Sequence, residues 1–441
     1  MSYLTDRRRF LQTTAVTAVG VFVANSAAAE DSQSPNEKIR FACIGVGGKG
    51  RSDSAEAKRW GDVVAICDVD DGTLEKAGSR SFPKAARYND YRKLFDEMAG
   101  NVDAVTVSIP DHMHGPVTAL ALRLGKACYT QKPLTRTIWE ARRLGELARE
   151  NNAPTQMGNQ GTSFPGLRKT VAAIQGGVVG APREAHVWTN RPTWAQGGPR
   201  PAEASVPPHI HWDLWLGPRP FRPYGPGYHP HSWRGWWDFG SGALGDMACH
   251  TLNMPFWALD LRDPASVAAE SSGHNRDSYP KWSIIKYEFP ATDSRPAVTL
   301  TWYDGGKKPS ADLFGGEQLP KSGALIVGEK DTLLAPRDYC ETGYKLLSGA
   351  AQPRNEFEQS PGHFKELINA IQGGPAAQSN FPDYASPLTE TVLLGNLAVW
   401  AAVEPASPGP KIAWDAKNLK ATGAPDLDEL IRPAFREGYS V

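Results

Sequence analysis

Residues 38–50 read Lys-Ile-Arg-Phe-Ala-Cys-Ile-Gly-Val-Gly-Gly-Lys-Gly, and this stretch decides the fold. Its first half is a short apolar run that reads as a buried strand. Its second half, Gly45 to Gly50, is a complete G-x-G-x-x-G. A stretch of helical character follows from Arg51 to Trp60, and then a second apolar run, Val63 to Cys67, which ends in Asp68. Each part has a physical task. The glycines permit a tight turn and close approach of backbone to a pyrophosphate, and the helix N-terminus offers unpaired N–H groups to the anion. Asp68 stands 18 residues past the last glycine, where an acid accepts hydrogen bonds from ribose hydroxyls. Gly45, Val46, Gly47, Gly48, Gly50 and Asp68 are therefore assigned to a dinucleotide. A carboxylate at 68 repels a 2′-phosphate, and Val69, Asp70 and Asp71 bring no basic residue to rescue it. NAD is expected on that ground, while Lys49 and Arg51 keep NADP as the alternative.

The alternation continues outward. Helices are predicted over 91–99, 116–124 and 138–151, and strands over 102–109, 127–130 and 154–157. Strands alternating with helices of about ten residues imply a doubly wound parallel sheet, here spanning 38–160. Ligands on such sheets sit at the carboxyl ends of the strands. Three segments fall there: Pro110-Asp111-His112-Met113-His114, Gln131-Lys132-Pro133, and Asn159-Gln160. His112 and His114 form an H-x-H with no third ligand nearby, so no metal is expected. Asp246 and His250 stand four apart in a stretch of helical character, which puts both on one face. From spacing alone that pair reads equally as a helix N-cap and a core histidine, or as an acid–base unit.

Residues 107–135, VSIPDHMHGPVTALALRLGKACYTQKPLT, resemble the core of the Gfo/Idh/MocA oxidoreductases, and the likeness is most specific at the glycine loop, at Lys132-Pro133 and at residues 245–250, GDMACH. The resemblance implies an α/β protein: the parallel Rossmann sheet, then a C-terminal α/β domain (161–441) with a large, open, mostly antiparallel sheet used for substrate binding and oligomerisation. It implies hydride transfer to NAD, with Lys132, Asp246 and His250 as the catalytic group and Pro110, His114, Gln131, Lys132 and Asn159 beside the cofactor. The histidine of this D-x-x-x-H would act as acid or base with Asp246 as its carboxylate partner. The chain departs from the family's E-K-P by carrying Gln131 where a glutamate stands. An amide still accepts a ribose hydrogen bond, yet cannot stabilise a neighbouring ammonium as a carboxylate does.

Between Trp188 and Trp257 lie eight of the 14 tryptophans and five of the 10 histidines, in a stretch crowded with proline. Flat aromatic faces beside charged groups suit a polyhydroxylated ring, so Arg191, Trp212, Trp236, Trp237 and Asp238 are expected to meet a carbohydrate substrate. Tryptophan and arginine also anchor subunit interfaces, and that reading stands beside the first. Three functions follow: a sugar or glycoside dehydrogenase, an NAD-requiring glycosidase that oxidises, eliminates and re-reduces, or a sugar-binding protein with a structural nucleotide. Proton-transfer groups argue against the last.

Charge is balanced, 48 basic against 48 acidic residues, which leaves no electrostatic footprint for nucleic acid or an anionic membrane. The five cysteines are odd in number and irregular in spacing, so neither a disulfide framework nor a zinc site is expected. At the N-terminus, Arg7-Arg8-Arg9-Phe10-Leu11 precedes an uncharged stretch and Ala27-Ala28-Ala29. That reads as a twin-arginine-type signal peptide over 1–29 and a linker over 30–37, handled by the twin-arginine translocase. The mature chain is then expected in the periplasm or otherwise exported, soluble, and homo-oligomeric through its second sheet.

Overall fold

A computed structural model of the chain describes residues 38–441, so the expected signal peptide and linker lie outside the described residues. The first sheet is built from β1 (Ile39–Ile44), β2 (Gly61–Cys67), β3 (Ala86–Tyr88), β4 (Ala104–Val107), β5 (Ala127–Thr130) and β6 (Thr155–Met157). Its strands are all parallel, in the order β3-β2-β1-β4-β5-β6. Every residue of β4 and β5 is buried, as expected of strands covered by helices on both faces. The order reverses between β1 and β4, and a crevice at that switch point is where a dinucleotide binds.

The second sheet is larger and mixed. It comprises β7 (Pro182–Trp188), β8 (Ser266–Ser271), β9 (Ser283–Phe289), β10 (Val298–Tyr303), β11 (Gly323–Gly328), β12 (Thr332–Pro336), β13 (Lys345–Leu346), β14 (Ile412–Asp415) and β15 (Lys420–Thr422). The order is β13-β12-β11-β7-β10-β9-β8-β14-β15, antiparallel throughout except where β7 and β10 run parallel. β9 and β10 alternate buried and half-buried or exposed residues, the signature of a sheet packed on one face only. The α/β class and both sheets agree with the sequence reading.

Within residues 38–160, one helix and one strand escaped that reading. The helix Asp71–Arg80 carries few apolar residues, and what starts it is Asp70, whose carboxylate accepts from the N–H groups of Gly72 and Thr73 at 2.9 and 3.2 Å. β3 is only three residues long. The helix expected from Pro116 instead starts at Asp111, and Pro116 lies inside it. Proline is favoured at a first helical position, which is why it reads as a start. The helix His363–Ile371 returns to the first sheet, where Phe364 packs on Phe41 and Tyr129 with ring centres 6.1 and 5.0 Å apart. Packing thus crosses the expected boundary after Gln160. Among the described residues no helix is long and apolar enough to cross a membrane.

One helix start offers a clean stability test. The helix Ile138–Glu150 opens on a reciprocal capping box, with Thr137 and Glu140 both buried and the Thr137 hydroxyl donating to Glu140 at 2.8 Å. Thr137→Ala is expected to cost about 1–2 kcal/mol, because it removes the cap and one partner of a buried carboxylate. Urea denaturation measures it, and a loss below a few tenths would contradict the capping assignment.

Candidate active site

The glycine loop runs directly from β1 into the helix Gly48–Trp60. Gly45 has φ of 81°, and a Cβ there would collide with the Ser108 carbonyl, so only glycine serves. Gly47 is the N-cap and has no side chain to satisfy the first N–H groups, which leaves them for a ligand. Gly48, with φ of 45°, has nothing within 4 Å of a would-be Cβ. Asp68, at the end of β2, accepts from the N–H groups of Val46 and Asp70 at 3.0 and 3.1 Å. Burial raises its carboxyl to about 6, with those N–H groups pulling the other way.

Gly45, Gly47, Gly48 and Asp68 line a cavity of about 770 Å³ that extends to the second half of the chain. Gly45, Gly47, Gly48, Asp68, Pro110, Gln131, Lys132, Arg191, Asp246 and His250 all reach its wall. The loop N-terminus, the open Gly48 and the acid at 68 fit a dinucleotide along that wall.

The Lys132-Pro133 peptide is cis, and the lysine lines the same cavity. Its Nζ donates to the Asp246 carbonyl at 2.6 Å and to the Asp246 carboxylate at 3.0 Å. Arg234 donates from Nε to the same carboxylate oxygen at 3.2 Å and lies over the Trp233 ring. Burial alone would raise the Asp246 carboxyl, but Lys132 and Arg234 outweigh it and bring it down to about 2. Asp246 is not a helix N-cap: its helix runs Gly242–Thr251 and the cap position is Ser241. Asp246 is also turned toward Lys132 and Arg234, whereas the expected pairing was with His250. His250 lines the cavity, packs on Tyr339 with ring centres 4.6 Å apart, and among the described residues leaves Nδ1 without a partner. Burial, reinforced by the Lys132 charge, holds it well below its ordinary range and hence neutral.

The remaining assigned residues stand behind the wall. Val46 contributes through its N–H to Asp68. Gly50 is buried where a Cβ would collide with the Gly45 carbonyl. His114 is buried between the Pro133 and Ile109 carbonyls, 2.8 and 2.7 Å from its ring nitrogens, and as a neutral imidazole donates to one of them. Asn159 is buried and accepts from the Ser379 hydroxyl.

The structure does not bring Trp212, Trp236, Trp237 or Asp238 to the cavity wall. Trp212 and Trp236 belong to an aromatic cluster with Trp215, Tyr228 and Phe239. Trp237 stacks on Tyr279 at 3.7 Å, and Asp238 is held by Arg219 and Arg222. Burying that much aromatic surface stabilises the long segment itself, which explains its composition without a ligand. The tryptophans that do reach the cavity are Trp215 and Trp233.

Sequence reasoning also missed Asp53, Ser108, Asp111 and Tyr339. Asp111 lines the cavity, accepts from the Ser241 hydroxyl, and is raised to about 6 by burial. Its place directly after Pro110, at a strand end, was a usable signal. Tyr339 follows β12, and nothing local marks it. Among the described residues no group of three His, Cys, Asp or Glu is placed to hold a metal ion.

These buried groups predict a pH profile for stability. Burial lowers His112 to about 3 and His114 and His363 to about 4, holds His250 well below its ordinary range, and raises Asp68, Asp111 and Asp304 to about 6. Between about pH 6 and 4 the unfolded chain protonates its histidines and the folded chain does not, which destabilises the fold. Over the same range the folded chain protonates the three aspartates before the unfolded chain does, which stabilises it. Below about pH 4 the unfolded aspartates protonate too, Asp246 included, and the offset disappears. Four such histidines outweigh three such aspartates, so the melting temperature is expected to fall gently from about pH 6 to 4 and steeply below. A fall as steep between about pH 6 and 4 as it is below 4 would contradict the neutralised carboxyls.

Comparison with known proteins fits this geometry. Residues 39–159 match the profile described as oxidoreductase family, NAD-binding Rossmann fold, and residues 149–295 match the family's C-terminal alpha/beta domain. Together these span more than half of the chain. The chain belongs to the Gfo/Idh/MocA family of oxidoreductases. It is 27% identical over 163 residues to a D-xylose 1-dehydrogenase [NADP(+)] of Haloarcula marismortui, covering 36% of this chain and 44% of that one. It is 30% identical over 155 residues to a glycosyl hydrolase family 109 protein of Solibacter usitatus, covering 31% and 35%. The chain thus spans well under two thirds of the length of these relatives. Among solved structures, the WlbA dehydrogenase from Bordetella pertussis, in complex with NADH and UDP-GlcNAcA, superposes with a TM-score of 0.58 at 16% identity, over 85% of this chain and 99% of that one. At that identity the likeness is one of fold.

Proposed function

We propose that this Gfo/Idh/MocA protein is an NAD-dependent oxidoreductase acting on a hydroxyl of a sugar or glycoside. The observation that carries the reading is one cavity lined both by the glycine loop and Asp68 and by Lys132, Asp246 and His250. The loop N–H groups and Asp68 would hold the nucleotide, and Gln131 and Pro110 would flank it. The bound nicotinamide supplies a hydride acceptor for the carbinol carbon. Lys132, paired with Asp246, donates a hydrogen bond to the reacting oxygen and stabilises its developing charge. His250, kept neutral by burial, takes the hydroxyl proton. Arg191, Trp233 and Tyr339 bound the space left for the substrate.

The test is to titrate purified protein with NAD+ and NADP+, then add aldoses, inositols and glycosides and follow nucleotide reduction. The absence of nucleotide binding would end the proposal. Asp68→Ala is expected to erode the preference for NAD+ over NADP+ by about tenfold, since it removes the group that repels a 2′-phosphate. Unchanged discrimination would place the preference elsewhere.

The family 109 relative favours a second reading, a glycosidase whose nucleotide is reduced and reoxidised within one turnover. Hydrolysed glycoside without net NADH would identify it.

The N-terminal Arg7-Arg8 pair supports export with the nucleotide already loaded and retained, and we place oligomerisation on the second sheet. Replacing both arginines with lysine is expected to strand the precursor inside the cell; normal export would refute it.

A further inference from the structure

We propose that Asp53, which does not itself reach the cavity, is the positioning residue that sets the hydrogen-bonding polarity of Gln131 toward the nucleotide. The inference rests on the nucleotide reading above. Asp53 lies in the second turn of the helix Gly48–Trp60 and is 2% exposed. Its carboxylate gathers three side chains that do line the cavity. Lys49 Nζ donates to Oδ1 at 2.6 Å, and Ser108 Oγ and Gln131 Nε2 donate to Oδ2 at 2.8 and 2.9 Å. One buried acid therefore ties the glycine loop, the end of β4 and the end of β5 together.

The consequence for Gln131 is geometric. An amide has a donor end and an acceptor end. With Nε2 locked on Asp53, the carbonyl oxygen is the end left for the cavity side, where the Lys132 N–H approaches it at 3.4 Å. Gln131 thus offers an acceptor, the polarity that a ribose hydroxyl donor needs. The same contact explains why an amide stands at 131. A glutamate there would set two carboxylates in direct contact, and like charges so placed cannot both stay ionised at ordinary cost. The acid that would otherwise sit at 131 has its charge supplied one layer behind, at 53.

The test uses D53N, Q131E and the double variant D53N/Q131E in the full-length protein, with NAD+ as the probe. In D53N neither orientation of the new amide satisfies all three donors: with its oxygen toward Gln131 its nitrogen meets the Lys49 ammonium, and with its nitrogen toward Gln131 the Gln131 amide turns over and presents nitrogen to the cavity. In Q131E two carboxylates meet. Each single variant is expected to weaken NAD+ binding by about tenfold or more by calorimetric titration, the scale of one mispaired buried polar group. The Q131E loss should ease at low pH, where the pair shares a proton. In the double variant the amide introduced at position 53 donates to the carboxylate introduced at position 131. An acceptor again faces the cavity, and affinity should return to within about threefold of wild type. If Q131E does not fold, Q131M removes the acceptor without adding charge and should show the same loss. Melting temperatures without nucleotide are recorded alongside. Single variants that bind NAD+ as wild type does, or a double variant no better than the worse single, would overturn the assignment of Asp53. A wild-type protein that binds neither NAD+ nor NADP+ would instead overturn the nucleotide reading beneath it.

Discussion

Lys132→Met is expected to lower turnover by about two to four orders of magnitude while leaving nucleotide affinity within a few-fold, the range for loss of a group that stabilises the reacting oxygen as its proton leaves. Methionine keeps most of the aliphatic stem and its packing, and removes only the ammonium. Asp246 then retains Arg234 at 3.2 Å, so no buried carboxylate is stranded without a cation and the fold should stand. What disappears is the ammonium held by Asp246 on the cavity wall. Steady-state kinetics with the true substrate and a calorimetric titration with NAD+ check the two halves separately. Near-full activity would remove Lys132 from the chemistry. Lost nucleotide binding would make it a binding residue instead.

His250→Ala is expected to fall by about the same two to four orders, and to recover part of its turnover when imidazole is added. The side chain borders the cavity and is held neutral by burial, so it is suited to accept a proton from a bound hydroxyl. Removing it leaves a ring-sized space open to the cavity, beside Tyr339. A free imidazole can occupy that space, whereas a purely structural loss would show lower thermal stability and no rescue. Unchanged turnover would return His250 to the role of a core histidine.

Local chemistry made the first sheet legible. Gly45 to Gly50, the apolar β1 and β2, and Asp68 each state their role in a few residues, because a pyrophosphate turn imposes tight steric demands. Lys132 and the Asp246–His250 pair were visible for a similar reason: a strand end before proline and a helical spacing of four are short-range signals. Partners formed across the chain were not visible. Asp246 meets Lys132 across 114 residues, and Gln131 meets Asp53 across 78, so no window of sequence contains either pair. The tryptophan-rich segment misled for a related reason. Aromatic composition reports that surface must be buried, and does not say whether a ligand or the chain's own Tyr228, Phe239 and Tyr279 will cover it. His114 shows the same ambiguity in one residue: near the cofactor end in sequence, yet buried between two backbone carbonyls.

The central claim is that one cavity joins a nicotinamide nucleotide to a carbohydrate hydroxyl. The most direct test is isotopic: incubate the protein with NAD+ and a sugar carrying deuterium at its carbinol carbons, quench rapidly, and weigh the nucleotide by mass spectrometry. Deuterium should appear on the nicotinamide with wild-type protein and be lost with Lys132→Met, which still binds NAD+. A nucleotide that stays unlabelled with every sugar and glycoside that the protein binds would contradict it.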